Sequence, residues 1–349
     1  VVDKAAWVFC VLERFHRALR RRDVYAETST RWRDPRAQLL DGPAWNAARP
    51  AALKSLGLPE DPGQLLAGHV RLLDTSYREV CGRLVVNTAV TVDDAGRLHV
   101  QHIEAISDPP SLIDLRKRLA AMLPRVDLSE VLLEVAAWHP RFIEAFTAVS
   151  GGGTRLADLH VTIAAVLTAH ALNIGYPPGT SSGIAALTRD RLSHVDQNYL
   201  RAETYAAANA PLIEAQTQIE LAQAWGGGLV AAIDGMRFVV PIPTIHARPN
   251  PKYFGRRRGA QWLNMVNDQA LGLGGKVVAG TPRDSLHTID VIYSQDGGPR
   301  PEVIVTDTAS YTDVVFGLLH LLGFSYRPSW PICPTRNCGA STRPRTTDR

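Results

Sequence analysis

The chain has 349 residues, 45% of them hydrophobic and 21% charged, with a formal net charge of +4. That length supports two or three domains with sizeable cores, and the composition excludes a largely disordered or fibrous protein. Cys10, Cys81, Cys333 and Cys338 are too scattered for a disulfide framework and fit a reducing compartment, and no apolar run reaches the roughly 18 residues of a membrane span.

From Lys4 to Arg22 apolar residues recur at helical spacing through Trp7, Val8, Val11, Leu12, Phe15 and Leu19, which predicts a helix. Its basic end, Arg20 to Arg22, suits either the helix C-terminal dipole or a DNA contact. Residues 82–106 alternate like strands around a turn at Asp94 to Gly96, predicting a small hairpin. Beyond "SDPPS" (107–111) helices are expected from Leu112 to Leu123, from the capping-box sequence "DLSE" (127–130), and from Leu156 to Leu172. Another is expected from Gln197 to Ala224, interrupted near Pro211. "GGG" (151–153) and "PPGTSSG" (177–183) read as linkers, and neither has the Lys-Ser/Thr pair of a phosphate loop.

The character changes at "WGGGLVAAIDGMRFVVPIP" (225–243). Two strand-like runs, Leu229 to Ile233 and Met236 to Ile242, flank Asp234-Gly235, the signature of a tight hairpin. "GGKVVAG" (274–280) predicts a further strand and Pro282 to Ser294 a helix. Val303 to Val305 predicts a buried strand running towards Asp307, ahead of a helical pattern from Asp313 to Leu322. A hairpin, a strand, a helix and a strand with an acid at its end follow the order of an RNase H-like fold. No internal repeat is present.

Moving a phosphoryl group with divalent ions needs carboxylates from separate strands converging on one point, since hard cations prefer oxygen ligands. Asp234 and Asp307 are the candidates for catalysis and metal binding. A tight turn would also account for Asp234, and an N-cap for Asp307. No acid occurs between Asp234 and Asp268, whereas Arg237, Arg248, Lys252, Arg256, Arg257 and Arg258 all fall there. That distribution suits a polyanion, and "HARPNPKYFGRRRG" (246–259) adds Tyr253 and Phe254 to the cations; a solvated basic loop is the alternative. His160 and His170 do not share a helical face, Cys333 and Cys338 lack a second pair, and His194 and Asp196 lack a serine elbow.

The stretches "DGMRFVVPIPTIHARPNPKYFGRRRGAQWLNMVNDQ" (234–269) and "VIVTDTASYTDVVFGLLHLLGFSYRP" (303–328) closely resemble DDE transposases of the Tn-three family, the replicative class II transposons. "FHRALRRRDVYAETSTRWRDPRAQLLDGPAW" (15–45) and "HVDQNYLRAETYAAANAPLIEAQ" (194–216) extend the likeness, so it covers about residues 1–328. The resemblance implies an α/β chain: a partial RNase H-like catalytic domain preceded by a mainly helical scaffold and dimerisation region with a small β-hairpin. It also implies Mg²⁺ (or Mn²⁺) held by Asp234 and Asp307, the acids of the family's Asp-Gly-x-Arg-Phe and Thr-Asp-Thr motifs. Transposon terminal inverted repeats and target DNA are the implied partners, with a homodimer or pairing with full-length transposase, no membrane, and a cytoplasmic, nucleoid-associated bacterial location. Residues 1–108, 109–226 and 227–328 are the expected divisions.

Two departures matter. The family's third acid is a Glu well beyond the second Asp, and here no Glu occurs after Glu302. The chain begins at Val1 without methionine and enters a helical pattern at once, so it reads as a piece of something longer; the family's terminal-repeat-recognising domains lie upstream of what is present, and specific end recognition is expected to be missing. After "GFSYRP" the family tends to continue Gln-Leu-Ala-Asp-Leu-Pro-Asp, whereas this chain has "SWPICPT" (329–335). The codons AGC TGG CCG ATC TGC CCG AC spell the latter, and one preceding C gives CAG CTG GCC GAT CTG CCC GAC, the family reading. Residues 329–349 are therefore expected to be an out-of-frame tail. With two acids the chain is expected to be inactive in strand transfer. A non-catalytic fragment that binds DNA or modulates full-length transposase, and a pseudogene product, are the alternatives.

Overall fold

The computed structural model describes residues 3–21, 23–28, 33–34, 37, 39–101, 105–151, 156–242, 244, 247–280, 285–307, 310 and 312–329. The linker expected at 151–153 and the tail at 329–349 fall mostly outside these residues. The chain forms two compact units divided between Asn87 and Thr88.

The first unit contains α1 (Lys4–Arg21), α2 (Gly42–Ser55) and α3 (Pro62–Leu84). Prolines at the starts of α2 and α3 sit where a missing backbone N–H costs nothing, and the Asp61 side chain caps α3 by accepting from Gly63 N at 2.9 Å. Helix α3 takes residues 82–84, which the sequence assigned to the hairpin. None of the described side chains before Thr88 is buried. Trp7, Phe9, Leu12 and Phe15 of α1 all remain exposed.

The second unit opens with a small hairpin, β1 (Val90–Val92) and β2 (Leu98–Val100), closed by Gly96 in the left-handed region and by Asp93 accepting from Ala95 N and Arg97 N. A helical layer follows: α4 (Pro110–Met122), α5 (Leu128–Trp138), α6 (Pro140–Glu144), α7 (Leu159–Leu172), α8 (Arg189–Tyr199), α9 (Ala202–Gln216) and α10 (Glu220–Trp225). Asp127 and Glu130 form the expected capping box of α5. The segment read as one helix from Gln197 to Ala224 is instead parts of three, and Pro211 lies buried within α9 rather than at a break. The first break falls at Leu200–Arg201, where the Thr204 hydroxyl donates to Tyr199 O at 2.7 Å and accepts from Arg201 N at 2.9 Å, starting a new helix.

Helix α9 joins two cores. Its Ala208 packs with Phe142, Phe146, Ile163, Val195 and Tyr199 in the helical layer, while its Ile213 enters the core beneath the sheet. The Asn209 amide donates to Gly272 O at 2.8 Å and to Asp296 at 2.9 Å, and Gln216 donates to Gln269 O at 2.9 Å. Partly buried side-chain amides that find such partners fix register as well as contact.

The rest is a sheet with its helices: β3 (Val230–Val239), β4 (Arg248–Pro249), α11 (Pro251–Phe254), β5 (Arg258–Asn267), β6 (Gly272–Ala279), α12 (Thr288–Tyr293), β7 (Val303–Thr306), α13 (Asp313–Leu321) and β8 (Ser325–Pro328). Its order is β6-β5-β3-β7-β8, with the short β4 also on β5. β3, β5 and β6 are antiparallel; β3, β7 and β8 run parallel. One face of the sheet supplies Ala231, Ile233, Leu263, Met265, Leu273, Ile304 and Tyr326 to a core closed by Val291 and Ile292 of α12 and Val315 and Leu319 of α13.

The expected Asp-Gly hairpin is absent. β3 runs straight through Asp234 and Gly235, which pair with Asn264 and Leu263 of β5. The glycine serves close approach, because a Cβ at Gly235 would lie 2.0 Å from the Gln261 amide nitrogen. The antiparallel partner of β3 is β5, reached through residues 240–257, a strand the sequence reading does not predict.

Candidate active site

The last register pair between β3 and β7 is Ile233 with Thr306. The residues one step further along the two parallel strands are Asp234 and Asp307. Ile233 and Thr306 are both buried, whereas Asp234 and Asp307 are both exposed. Neighbouring strands lie about 4.8 Å apart, so the topology brings the two carboxylates, far apart in sequence, to adjacent positions at the end of β7.

Each acid is engaged locally through one oxygen. Asp234 Oδ1 accepts from its neighbour Gly235 N at 2.7 Å. Asp307 Oδ1 accepts from Ser310 N at 3.0 Å and from the Ser310 hydroxyl at 2.7 Å. Asp307 is therefore not the N-cap of α13. Thr312 fills that role, its hydroxyl accepting from Val315 N at 3.1 Å. Of the two threonines that flank Asp307, Thr306 faces the core and meets the Tyr326 hydroxyl at 2.8 Å, and Thr308 lies outside the described residues.

The donor set fits a hard divalent cation: two carboxylates on adjacent strands, Asp234 within β3 and Asp307 just past the end of β7, offer oxygen, and an ion such as Mg²⁺ keeps several waters while bound by one or two carboxylates. No group of three or more His, Cys, Asp or Glu side chains able to hold a metal occurs among the described residues.

The predicted cations lie on one end of the sheet. β3 continues five residues past Asp234 to Val239, paired with Gly259 of β5, so the loop before β5 stands about 17 Å further along the strand. This loop is built rather than loose. Phe254 lies against Gly259, where a Cβ would come within 2.4 Å of its ring, and Asn250 caps α11 while donating to Gly280 O at 3.2 Å. Arg256, Arg257 and Arg258 are exposed at its tip, and Arg248 opens β4 beside them. The Arg237 guanidinium stacks 4.0 Å from the Tyr253 ring centroid and Lys252 Nζ lies 4.9 Å from it, so all six cations gather around the far end of β3 and β5.

Sequence reasoning missed Ser310, Thr312 and Tyr326. The Asp307-to-Ser310 spacing, an acid followed three residues on by the N–H it accepts from, is a capping signal available locally. Tyr326 has no local signal, because only the β7–β8 pairing carries it to Thr306.

A sheet in this order, with two acids at the junction of its parallel and antiparallel halves, defines an RNase H-like domain. A family model described as the Tn3 transposase DDE domain matches residues 130–335, more than half of the chain. The chain belongs to this family. It is 60% identical over 327 residues to the transposase for transposon Tn4556 of Streptomyces fradiae, covering 94% of this chain and 36% of that protein. It is 44% identical over 330 residues to the transposase for transposon gamma-delta of Escherichia coli strain K12, covering 94% and 33%. It is 30% identical over 334 residues to the transposase for transposon Tn501 of Pseudomonas aeruginosa, again covering 94% and 33%. The chain thus spans about a third of the length of the curated relatives it matches. No helix among the described residues is long and apolar enough to cross a membrane.

Proposed function

We propose that this chain is part of the catalytic machinery of a DNA transposase that cuts transposon ends and joins the freed 3′ hydroxyls to target DNA. The observation that carries this reading is the adjacency of Asp234 and Asp307, one register step beyond Ile233 and Thr306 on neighbouring parallel strands. Asp234 and Asp307 would hold Mg²⁺ or Mn²⁺, which when bound activates water or a 3′ hydroxyl and stabilises the leaving oxygen. The two carboxylates set where the scissile phosphate must lie. Arg237, about 10 Å along β3, and Arg248, Lys252, Arg256, Arg257 and Arg258, about 17 Å along, hold the strand by its phosphates over the axial length of about three to five nucleotides. The partners are the terminal inverted repeats and target DNA.

The Gly235 backbone and the Ser310 hydroxyl each occupy one oxygen of an acid, leaving the second oxygen of each for the cation. With two of the family's three acids, the 349-residue chain by itself joins no ends. A strand-transfer assay with Mg²⁺ and terminal-repeat DNA tests this, and joined product from the purified chain would refute it. In a binding assay, replacing Arg256 and Arg257 by Ala should flatten the dependence of log affinity on log salt by about 2, whereas Asp307→Asn should leave DNA binding intact. An unchanged salt slope would remove the basic loop from the interface.

A second reading, a non-catalytic fragment that pairs with full-length transposase, is favoured by one observation: the apolar residues of α1 are exposed. Co-purification with intact transposase that is lost on Phe9→Asp would support it.

A further inference from the structure

Asp307 is held by a chain of hydrogen bonds that begins on another strand. Ser310 gives its Oδ1 two donors, a backbone N–H at 3.0 Å and a hydroxyl at 2.7 Å. The Ser310 carbonyl in turn accepts from the Tyr326 hydroxyl at 3.3 Å, and the Tyr326 oxygen lies 2.8 Å from Thr306 Oγ1. Both bonds are met at once when Thr306 donates to Tyr326 and Tyr326 donates to Ser310; the competing acceptor for the Thr306 proton is Asp307 O, at the longer 3.3 Å. Tyr326 belongs to β8, pairs with Ile304 of β7, and is 6% exposed. Its ring packs edge-on against Phe316 of α13 with centroids 5.8 Å apart.

Packing alone would be met by phenylalanine at this position. The hydroxyl adds a tie between the end of β7 and Ser310, and Ser310 determines where the Asp307 carboxylate points. With Oδ1 engaged by two donors from Ser310, the carboxylate loses rotational freedom and Oδ2 is left as the outward donor. A ligand already aimed before a cation arrives spares the cost of ordering it on binding.

We propose that Ser310 and Tyr326 are positioning residues, which hold the Asp307 carboxylate in the orientation needed to share a divalent cation with Asp234. The proposal rests on reading those two acids as cation ligands. Neither residue touches the cation. Ser310 acts directly on the carboxylate, and Tyr326 acts through Ser310 and Thr306.

Mn²⁺ titration of the whole 349-residue chain, followed by electron paramagnetic resonance, separates the possibilities. Ser310→Ala and Tyr326→Phe should each weaken Mn²⁺ binding about three- to tenfold, the worth of one hydrogen bond, and Ser310→Thr should restore it by returning the hydroxyl. Asp307→Asn should abolish it. Should Tyr326→Phe fail to fold, the Ser310→Ala and Ser310→Thr pair still decides. If Asp307→Asn abolishes binding while Ser310→Ala and Tyr326→Phe stay within about twofold of the parent, the positioning roles are wrong and the cation site stands. If the parent binds no Mn²⁺, or Asp307→Asn binds it equally well, the cation site itself falls and the positioning roles with it.

Discussion

Gly259 shapes the basic loop without carrying any charge. Its missing Cβ makes room for the Phe254 ring, the apolar anchor by which Lys252, Arg256 and Arg257 are held over the end of β5. A methyl there would meet aromatic carbons at 2.4 Å, too close for a small adjustment, and the Phe254 ring is itself buried. Gly259→Ala should therefore cost about 1–3 kcal/mol, measurable as a lower urea midpoint, and should weaken DNA binding although no charge has changed. Gly235 works in the same way towards Gln261. At that position a glycine next to an aspartate looks in sequence like a turn, and the two meanings of glycine, left-handed backbone or close approach, are told apart only by what lies opposite.

At the scale of elements, α12 is pinned to β6 by charge as well as by Val291 and Ile292. Lys276 forms an ion pair with Asp290, and His287 Nδ1 lies 3.1 Å from the same carboxylate. The Lys276 hydrogen bond, with His287 assisting against partial burial, holds the Asp290 carboxyl below the usual carboxylate range. A lowered value means that folding favours the ionised form. Its contribution is present above the ordinary carboxylate pKa near 3.9 and is lost as pH falls through the lowered value. Lys276→Met should accordingly be less stable than the parent near neutral pH, with the gap closing as the solution is acidified below about pH 4. Half-exposure of the pair keeps the effect modest and sensitive to salt, so unfolding curves belong at low ionic strength. The opposite sign applies to Tyr176, pushed up to about 12 by burial and by donating to Asp196; its neutral form is favoured, and that stability is lost as pH rises from about 10 through 12.

At the scale of the molecule, the two units differ in how they can be stable. The unit from Thr88 onward has two buried clusters bridged by α9, whereas the described residues before it bury no side chain. Isolated helices without a packed face are marginal in water. A fragment of residues 88–349 should melt cooperatively by circular dichroism, and one of residues 1–87 should show a shallow, non-cooperative loss of helix. A sharp transition in the shorter fragment would mean that it builds a core of its own. Helices α1, α4, α5, α7 and α13 were legible in the sequence because their periodicity, caps and prolines act within a few residues. β5 was not legible, since its first residues read as a basic loop, and nothing in "RGAQWLNMVN" announces that β3 lies beside it.

By itself the sequence determined the chemical inventory: which acids and cations are present, where helices form, and the likeness to a transposase family. These are properties of residue type and local order. Only the tertiary structure decided that Asp234 lies inside a strand, that it and Asp307 end up one step past the same register pair, and that Tyr326 reaches back to Ser310. Strand register is a pairing between distant segments, chosen by which faces can be buried together, and no short stretch of chain specifies its own partner.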